Sequence, residues 1–213
     1  MKLKNSYFYT LRENAKDEDS ISGNLLVRSG MIKKVGAGIY MHLPMGIRVL
    51  DKVKKIVKEE MDRAGAQELL MPSLIPSEYY EKCGRVEAFG ASMFNLKDRY
   101  GKPHVLGPTH EELFTIAAKS MVRSYKDLPF NLYQQADKFR DEPRPRYGLI
   151  RTREFIMKDA YTFDTPETQP ESYKKMYDTL SDITSTFGSK SHTMKFVFGE
   201  DDKEERRRQN CIN

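Results

Sequence analysis

A basic stretch between residues 138 and 158 carries side chains that could hold a nucleotide. Seven cations and three anions lie there, a net charge of +4 in a chain whose total is +5. A guanidinium can grip phosphate oxygens in a two-pronged fork, an aromatic ring can stack on a base, and a carboxylate can accept a hydrogen bond from an exocyclic amine. Arg140, Glu142, Arg151 and Phe155 are therefore a candidate nucleotide site. A solvated basic loop is the plainer interpretation, and composition alone leaves it open.

Two extended segments must position these side chains. Residues 131–139 and 148–163 are compatible with strands, and Pro143-Arg-Pro-Arg-Tyr147 between them cannot continue a central strand. We therefore predict an antiparallel pair joined by a long basic loop. Because side chains two residues apart share a face, the first strand groups Lys138, Arg140 and Glu142. The second groups Arg151, Arg153, Phe155, Met157 and Asp159. The alternative is a cross-strand ladder of ion pairs with Phe155 in the core.

The segment Leu106-Gly-Pro-Thr-His-Glu-Glu112 lies at the start of a second predicted helix, residues 109–125. Thr109 followed by Glu112 has the form of a capping box, in which each side chain accepts a backbone N–H at the helix start. That assignment leaves Glu111 unused. A loop that presents Thr109 and Glu111 together could instead accept hydrogen bonds from a substrate ammonium, and both interpretations stay open.

Other catalytic signatures are absent from the sequence. The four histidines have no metal-ligand spacing, so we expect each to be an ordinary surface or core residue. Cys83 and Cys211 are too few and too far apart for a disulfide scaffold or a zinc knuckle. There is no Ser-His-Asp pattern, no Gly-rich phosphate loop and no dinucleotide fingerprint.

Apolar spacing predicts the remaining elements. The clearest helix spans residues 47–64, where apolar residues recur at intervals of three and four. We also predict a short helix over 20–30, a strand over 36–44, a short buried strand over 68–72 that ends in proline, and a helix from Pro170 to Phe187. After Val197 the tail has little to bury, and we expect it to be disordered or frayed.

Composition excludes several classes of protein. Hydrophobic residues make up 38% and charged residues 31%, yet 11 Phe and 12 Tyr are enough to build a core. No apolar run approaches the roughly 18 residues that a membrane span needs, and the first 25 residues have no apolar block of a secretory signal. We therefore predict a soluble, cytoplasmic protein with no membrane partner.

The longest strings resemble a known family. Phe139-Arg-Asp-Glu142, a basic loop and Arg151-Thr-Arg-Glu-Phe155 are similar to motif 2 of the class II aminoacyl-tRNA synthetases. Met71-Pro72, after the predicted helix 47–64, resembles motif 1. The 106–112 and 138–163 strings taken whole resemble prolyl-tRNA synthetase of the bacterial type. The resemblance runs from about Lys4 to Phe187.

This resemblance implies a fold, a reaction and a set of roles. The fold would be α+β, an antiparallel class II sheet flanked by helices, with a catalytic core over residues 1–187, a divergent tail over 188–213 and a homodimer formed through motif 1. The family condenses ATP with L-proline to prolyl-adenylate and pyrophosphate, with Mg²⁺ bridging the phosphates, and passes the prolyl group to tRNA(Pro). Arg140 would be catalytic, contacting both the α-phosphate and the proline carboxylate. Glu142 would read adenine, Arg151 would hold a phosphate, Phe155 would stack on adenine, and Thr109 and Glu111 would bind the proline imino group.

The sequence also departs from the family. The third motif, the anticodon-binding domain and the editing domain are missing, so the sheet would be incomplete. We therefore expect negligible proline-dependent ATP–pyrophosphate exchange from this chain alone. Two alternatives remain at this point: a non-catalytic synthetase-derived binding or regulatory module, and a nucleic-acid-binding protein that uses the basic hairpin.

Overall fold

The computed structural model describes residues 3–188, and these form six α-helices and eight strands. The helices are α1 (Ile21–Arg28), α2 (Pro44–Arg63), α3 (Glu78–Glu81), α4 (Arg85–Phe89), α5 (Glu111–Met121) and α6 (Gln169–Thr186). The strands are β1 (Ile32–Gly36), β2 (Ile39–His42), β3 (Gln67–Glu68), β4 (Leu74–Pro76), β5 (Asn95–Lys97), β6 (Pro103–Leu106), β7 (Phe130–Phe139) and β8 (Glu154–Phe163). Of the tail predicted over 188–213, all but Gly188 lies outside the described residues. No helix within 3–188 is long and apolar enough to cross a membrane.

The β7–β8 hairpin is the scaffold of the molecule and confirms the predicted antiparallel pair. All ten residues of each strand are paired, from Phe130 opposite Phe163 to Phe139 opposite Glu154. β3 lies on the other side of β7 and pairs with it in parallel. Two smaller antiparallel sheets complete the strands, β1–β2 and β4–β6–β5. The fold is α+β with mostly antiparallel sheets, as predicted.

The amphipathic helix α2 packs against the hairpin together with α6. α2 begins at Pro44, three residues before the predicted start, because proline is well suited to the first helical turn. Its Val57 and Met61 are buried with Ile183 of α6 and Tyr133 of β7. The C-terminal part of the predicted apolar stripe therefore faces the sheet, whereas Ile47 and Val53, earlier in the stripe, are exposed. Burial of such a stripe supplies most of a helix's stability in a protein.

Two further apolar clusters fix the elements beside the hairpin. Ile75, Tyr80, Met93 and Val105 are buried between the β4–β6–β5 sheet and the helices α3 and α4. A second cluster, formed by Met71, Phe114 and Leu132, packs α5 onto β7. The loop before α5 is therefore anchored between two packed layers.

Three predicted elements differ from the structure. Residues 36–44 do not form one strand, because the chain reverses at Gly38, whose φ of +72° suits a tight turn, and β2 pairs back onto β1. The predicted strand 68–72 pairs only at Gln67–Glu68, which are exposed, and the chain then passes into the core at Met71. The predicted 148–163 strand begins at Glu154, because Gly148–Ile150 form a 3₁₀ turn instead.

Candidate active site

Arg140 and Phe155 lie side by side at the loop end of the hairpin, where residues 140–153 connect the two strands. The register sets Phe155 opposite Lys138, and the Arg140 backbone N–H donates to the Arg153 carbonyl over 2.9 Å. The Arg140 guanidinium carbon is then 5.4 Å from the centre of the Phe155 ring, a cation–π distance. On its other side, Arg140 Nε donates to the Pro108 carbonyl over 3.4 Å. Arg140 therefore connects the hairpin to the loop that precedes α5.

Glu142 and Arg151 form an ion pair beside them. Arg151 Nε and Nη2 each lie 2.8 Å from the same Glu142 carboxylate oxygen, Oε2. The Arg151 side chain is 48% exposed and that of Glu142 is 20% exposed, so solvent reaches the pair. The predicted ladder of ion pairs is present at this end, and Arg153 adds a contact of 3.3 Å to Asp141. The four nucleotide-site candidates form two contacting pairs, Arg140 with Phe155 and Glu142 with Arg151, and Phe155 is partly buried rather than in the core.

Thr109 is buried in the loop before α5, but it does not cap the helix. Its carbonyl accepts a 2.6 Å hydrogen bond from the Tyr80 hydroxyl, and its Oγ1 lies 3.4 Å from the Tyr161 hydroxyl. The residue at the cap position is His110, which makes no side-chain capping bond in the described structure. The predicted capping box is therefore wrong, because Thr109 and Glu112 are both held by groups from other elements.

Arg85 is the residue that sequence reasoning missed. Its Nη2 pairs with Glu111 and its Nε lies 2.9 Å from Glu112 Oε1, so one guanidinium from α4 holds both carboxylates at the start of α5. The Glu111 side chain stays 38% exposed at the loop that also carries Thr109. No local spacing could have indicated this contact, because Arg85 arrives from a separate helix.

A buried polar layer lies below the loop end of the hairpin. The fully buried Lys138 ammonium is 3.3 Å from Asp159 Oδ1, and Gln134 Nε2 is 3.5 Å from Asp159 Oδ2. Gln134 in turn accepts the Met71 backbone N–H over 3.2 Å. Burial lowers the pKa of Lys138 and outweighs the opposing effect of the Asp159 carboxylate. This layer ties β7 and β8 to the chain that follows β3.

His110 completes that layer as a core histidine. It is fully buried, and its Nε2 lies 3.1 Å from the Pro72 carbonyl, which makes Nε2 the protonated donor atom. Its Nδ1 has no hydrogen-bond partner in the described part of the chain. Burial lowers the pKa of His110, and the nearby Lys138 ammonium lowers it further. His110 is therefore neutral near pH 7.

Sequence comparison decides the family. The model of the class II tRNA synthetase core domain (G, H, P, S and T) matches residues 94–207, more than half of the chain. The chain belongs to the class II tRNA synthetase core family. The predicted class of fold and enzyme family is thereby confirmed.

Close relatives of this class II chain have one name in common. A proline–tRNA ligase of Nitratidesulfovibrio vulgaris (strain DP4) is 50% identical over 189 residues, which cover 88% of this chain and 33% of that protein. One of Syntrophotalea carbinolica is 52% identical over 182 residues, covering 85% and 32%. The chain thus spans about a third of the length of these relatives.

A solved structure agrees in fold with this class II chain. The Giardia lamblia prolyl-tRNA synthetase in complex with prolyl-adenylate superposes with a TM-score of 0.67 at 24% identity, over 73% of this chain and 33% of that one. At this identity the match establishes the architecture alone. The roles of individual residues therefore rest on the geometry described above.

Proposed function

We propose that this chain is part of the catalytic core of a proline–tRNA ligase. One geometric observation carries the proposal: Arg140 touches both the Phe155 ring and the Pro108 carbonyl, next to Thr109. A guanidinium in that position can serve a nucleotide on the hairpin side and an amino acid on the loop side. The name that the close relatives have in common supports proline as that amino acid.

The proposed reaction needs placement and charge neutralisation rather than a base. The proline carboxylate is already ionised, so its oxygen attacks the α-phosphorus of ATP directly. An oxygen–phosphorus bond forms, the bond to the leaving pyrophosphate breaks, and prolyl-adenylate results. Arg140 offsets charge on the α-phosphate and holds the proline carboxylate, and removal of such a contact typically costs roughly 10²–10³ in rate.

The remaining candidates divide between the two substrates. Phe155 stacks on adenine, Glu142 accepts a hydrogen bond from the adenine amine, and Arg151 holds a phosphate. ATP must then replace the solvent-accessible Arg151–Glu142 pair with contacts to itself, an exchange that a partly exposed pair makes at small cost. Thr109 and Glu111 bind the proline imino group, with Arg85 orienting Glu111.

Mg²⁺ has few protein ligands available here. Within residues 3–188, no group of three or more His, Cys, Asp or Glu side chains could hold a metal ion. In this proposal Mg²⁺ therefore arrives with the ATP phosphates, which supply its ligands together with water. We assign no step of the reaction to it.

The proposed assembly is a cytoplasmic homodimer that acts on tRNA(Pro). Exposed apolar side chains of α2 support the dimer, because Ile47, Val49 and Val53 are 42%, 46% and 36% exposed. The chain would meet a second copy through α2 and the exposed Pro72 of the motif 1 region, while the neighbouring Met71 stays in the chain's own core.

Calorimetric titration of the 213-residue chain with a non-hydrolysable prolyl-adenylate analogue tests the proposal. We expect binding to the unmodified chain and an affinity about 10- to 100-fold lower in Arg140→Ala, since hydrogen bonds to charged groups contribute roughly 1.5–3 kcal/mol. Arg99→Ala, which removes an exposed arginine from the turn between β5 and β6, is the matched control and should bind normally. Equal affinity of Arg140→Ala and the unmodified chain would contradict the proposal.

Two further measurements test the amino-acid substrate and the activity of the chain alone. A seryl-adenylate analogue should bind more weakly than the prolyl one, and equal binding would argue against proline as the substrate. Proline-dependent ATP–pyrophosphate exchange by the 213-residue chain alone should be negligible, because the chain spans only about a third of the length of the ligases it resembles. Robust exchange would overturn that expectation.

A further inference from the structure

The basic loop between the two strands of the hairpin is held from outside by an earlier part of the chain. Two short segments make the contacts, residues 18–23 and residues 36–38, and we call them together the N-terminal brace. The first contact is a hydrogen bond in which the Arg153 backbone N–H donates to the Gly38 carbonyl over 2.8 Å. It joins the β1–β2 turn to the residue just before β8.

The same turn is packed too tightly against the loop to accept a side chain. A Cβ atom added at Gly38 would lie 2.6 Å from Pro145 Cβ, 2.9 Å from Pro145 Cγ and 3.1 Å from Arg153 N. The proline ring is rigid and the third atom belongs to the backbone, so neither can move aside alone. Gly38 is therefore a point of direct contact between the brace and the loop.

A second contact lies at the far side of the loop. Gly148 rests on α1 so closely that an added Cβ would lie 2.9 Å from Gly23 Cα. The neighbouring Tyr147 has a left-handed backbone with φ of 62°, unusual for a residue with a side chain, and its N–H donates to Asp19 Oδ1 over 3.3 Å. Ser20 caps α1 by accepting the Gly23 N–H, which fixes the surface that Gly148 meets.

The brace is connected to Arg140 through a single residue, Arg153. The Arg153 N–H is bound by Gly38, while the Arg153 carbonyl accepts the Arg140 N–H over 2.9 Å. The Arg153 side chain also reaches the other end of the loop, where its Nε donates to the Glu142 carbonyl over 3.2 Å. A shift of the turn at Gly38 therefore displaces the backbone of both Arg140 and Glu142.

We propose that the N-terminal brace positions the nucleotide-binding residues, with Gly38 and Gly148 as its positioning residues. A long loop rich in like charges has no internal reason to hold one conformation, and misplacement of a binding group by about 1 Å can cost 10²-fold in rate. The packed contacts at both sides of the loop supply that order before any ligand arrives. The inference about ATP contacts rests on the proposed function, whereas the ordering of the loop does not.

Gly38→Ala and Gly84→Ala form a matched pair for the test. Both glycines have left-handed backbones, with φ of +72° and +69°, so both variants carry the same backbone strain. Only Gly38 is crowded, since nothing lies within 4 Å of a Cβ at Gly84. Any difference between the two variants therefore reports the contact with the loop.

Hydrogen exchange of backbone amides is the first measurement. In Gly38→Ala we expect the amides of Arg140 and Arg153 to exchange about tenfold faster, with α5 unchanged, because overfilling a packed contact forces the backbone to move. Gly84→Ala should leave residues 140–153 protected. Replacing the proline as well, in Gly38→Ala/Pro145→Gly, should restore much of the protection, which a general loss of stability would not allow. Equal exchange in Gly38→Ala and Gly84→Ala would overturn the proposal.

Affinity for the prolyl-adenylate analogue is the second measurement, and in Gly38→Ala it should be about tenfold lower than in the unmodified chain. If the unmodified chain does not bind the analogue, the proposed function fails while the exchange measurement still decides whether the brace orders the loop. If Gly38→Ala does not fold, Asp19→Ala takes its place, since it removes only an exposed side chain and its bond to Tyr147. That variant should speed exchange at Tyr147 about threefold, the effect of losing one weak hydrogen bond. Unchanged exchange there would refute the brace.

Discussion

Two ion pairs on the same hairpin use charge in opposite ways. Lys138 and Asp159 pair in the interior, where the ammonium is fully buried and its partner's side chain is 9% exposed. Arg151 and Glu142 pair at the loop end, with side chains 48% and 20% exposed. A buried charge cannot lose its partner without a large desolvation cost, whereas a solvated one loses little. The inner pair therefore holds structure, and the outer pair is available to exchange partners with a ligand.

Removal of the inner ammonium should be the most damaging change. In Lys138→Met the Asp159 carboxylate stays buried without its charge partner, and breaking a buried pair in this way costs roughly 3–5 kcal/mol. Urea unfolding of the chain measures the loss. The control is Lys138→Met/Asp159→Leu, which removes both charges and should recover much of the stability. A loss below about 1 kcal/mol in the single variant would mean that the inner pair is not structural.

The histidine beside the inner pair should make stability depend on pH. The pKa of His110 lies below its usual 6.5 in the folded chain, so acidification protonates the unfolded chain first. The unfolded state then binds more protons, and the free energy of unfolding falls as pH drops from about 6.5 toward the lower folded pKa, by up to roughly 1.4 kcal/mol per pH unit.

Urea midpoints at pH 7, 6 and 5 test this dependence against two variants. His110→Gln should flatten the decline between pH 7 and pH 5, whatever its own effect on stability at pH 7. His42→Gln, which replaces an exposed histidine of β2, should keep the slope of the unmodified chain. Identical slopes in all three proteins would show that His110 titrates normally in the fold.

The outer site was predictable from sequence because its geometry follows local rules. Strand alternation and the antiparallel pairing were enough to bring Arg140 next to Phe155 and Glu142 next to Arg151. The apolar stripe of α2 was predictable for the same reason, since a period of three to four residues identifies the buried face of a helix.

What sequence could not supply were contacts between distant segments. Arg85 reaches both Glu111 and Glu112 from another helix, and its contact with Glu112 is one reason why the capping box of Thr109 and Glu112 does not form. The turn at Gly38 was missed because the strand before it, Ile32–Gly36, has adjacent lysines that obscure the alternation. The miss at Arg85 concerns tertiary packing that no local period encodes, whereas the miss at Gly38 comes from an obscured local pattern.

The outer pair should be nearly neutral for stability, and this is the smallest effect we expect. Glu142→Gln keeps the shape of the side chain and removes its charge, and solvent-exposed pairs contribute only about 0–1 kcal/mol to unfolding free energy. The small loss should shrink further at high salt, because salt screens exposed charges. A loss comparable to that of Lys138→Met would erase the distinction between the two pairs, since Glu142 would then be needed for the fold and could not be released to a nucleotide. A loss below 1 kcal/mol, combined with weaker binding of the adenylate analogue, would mean that the charges at the loop end of the hairpin bind the ligand rather than stabilise the fold.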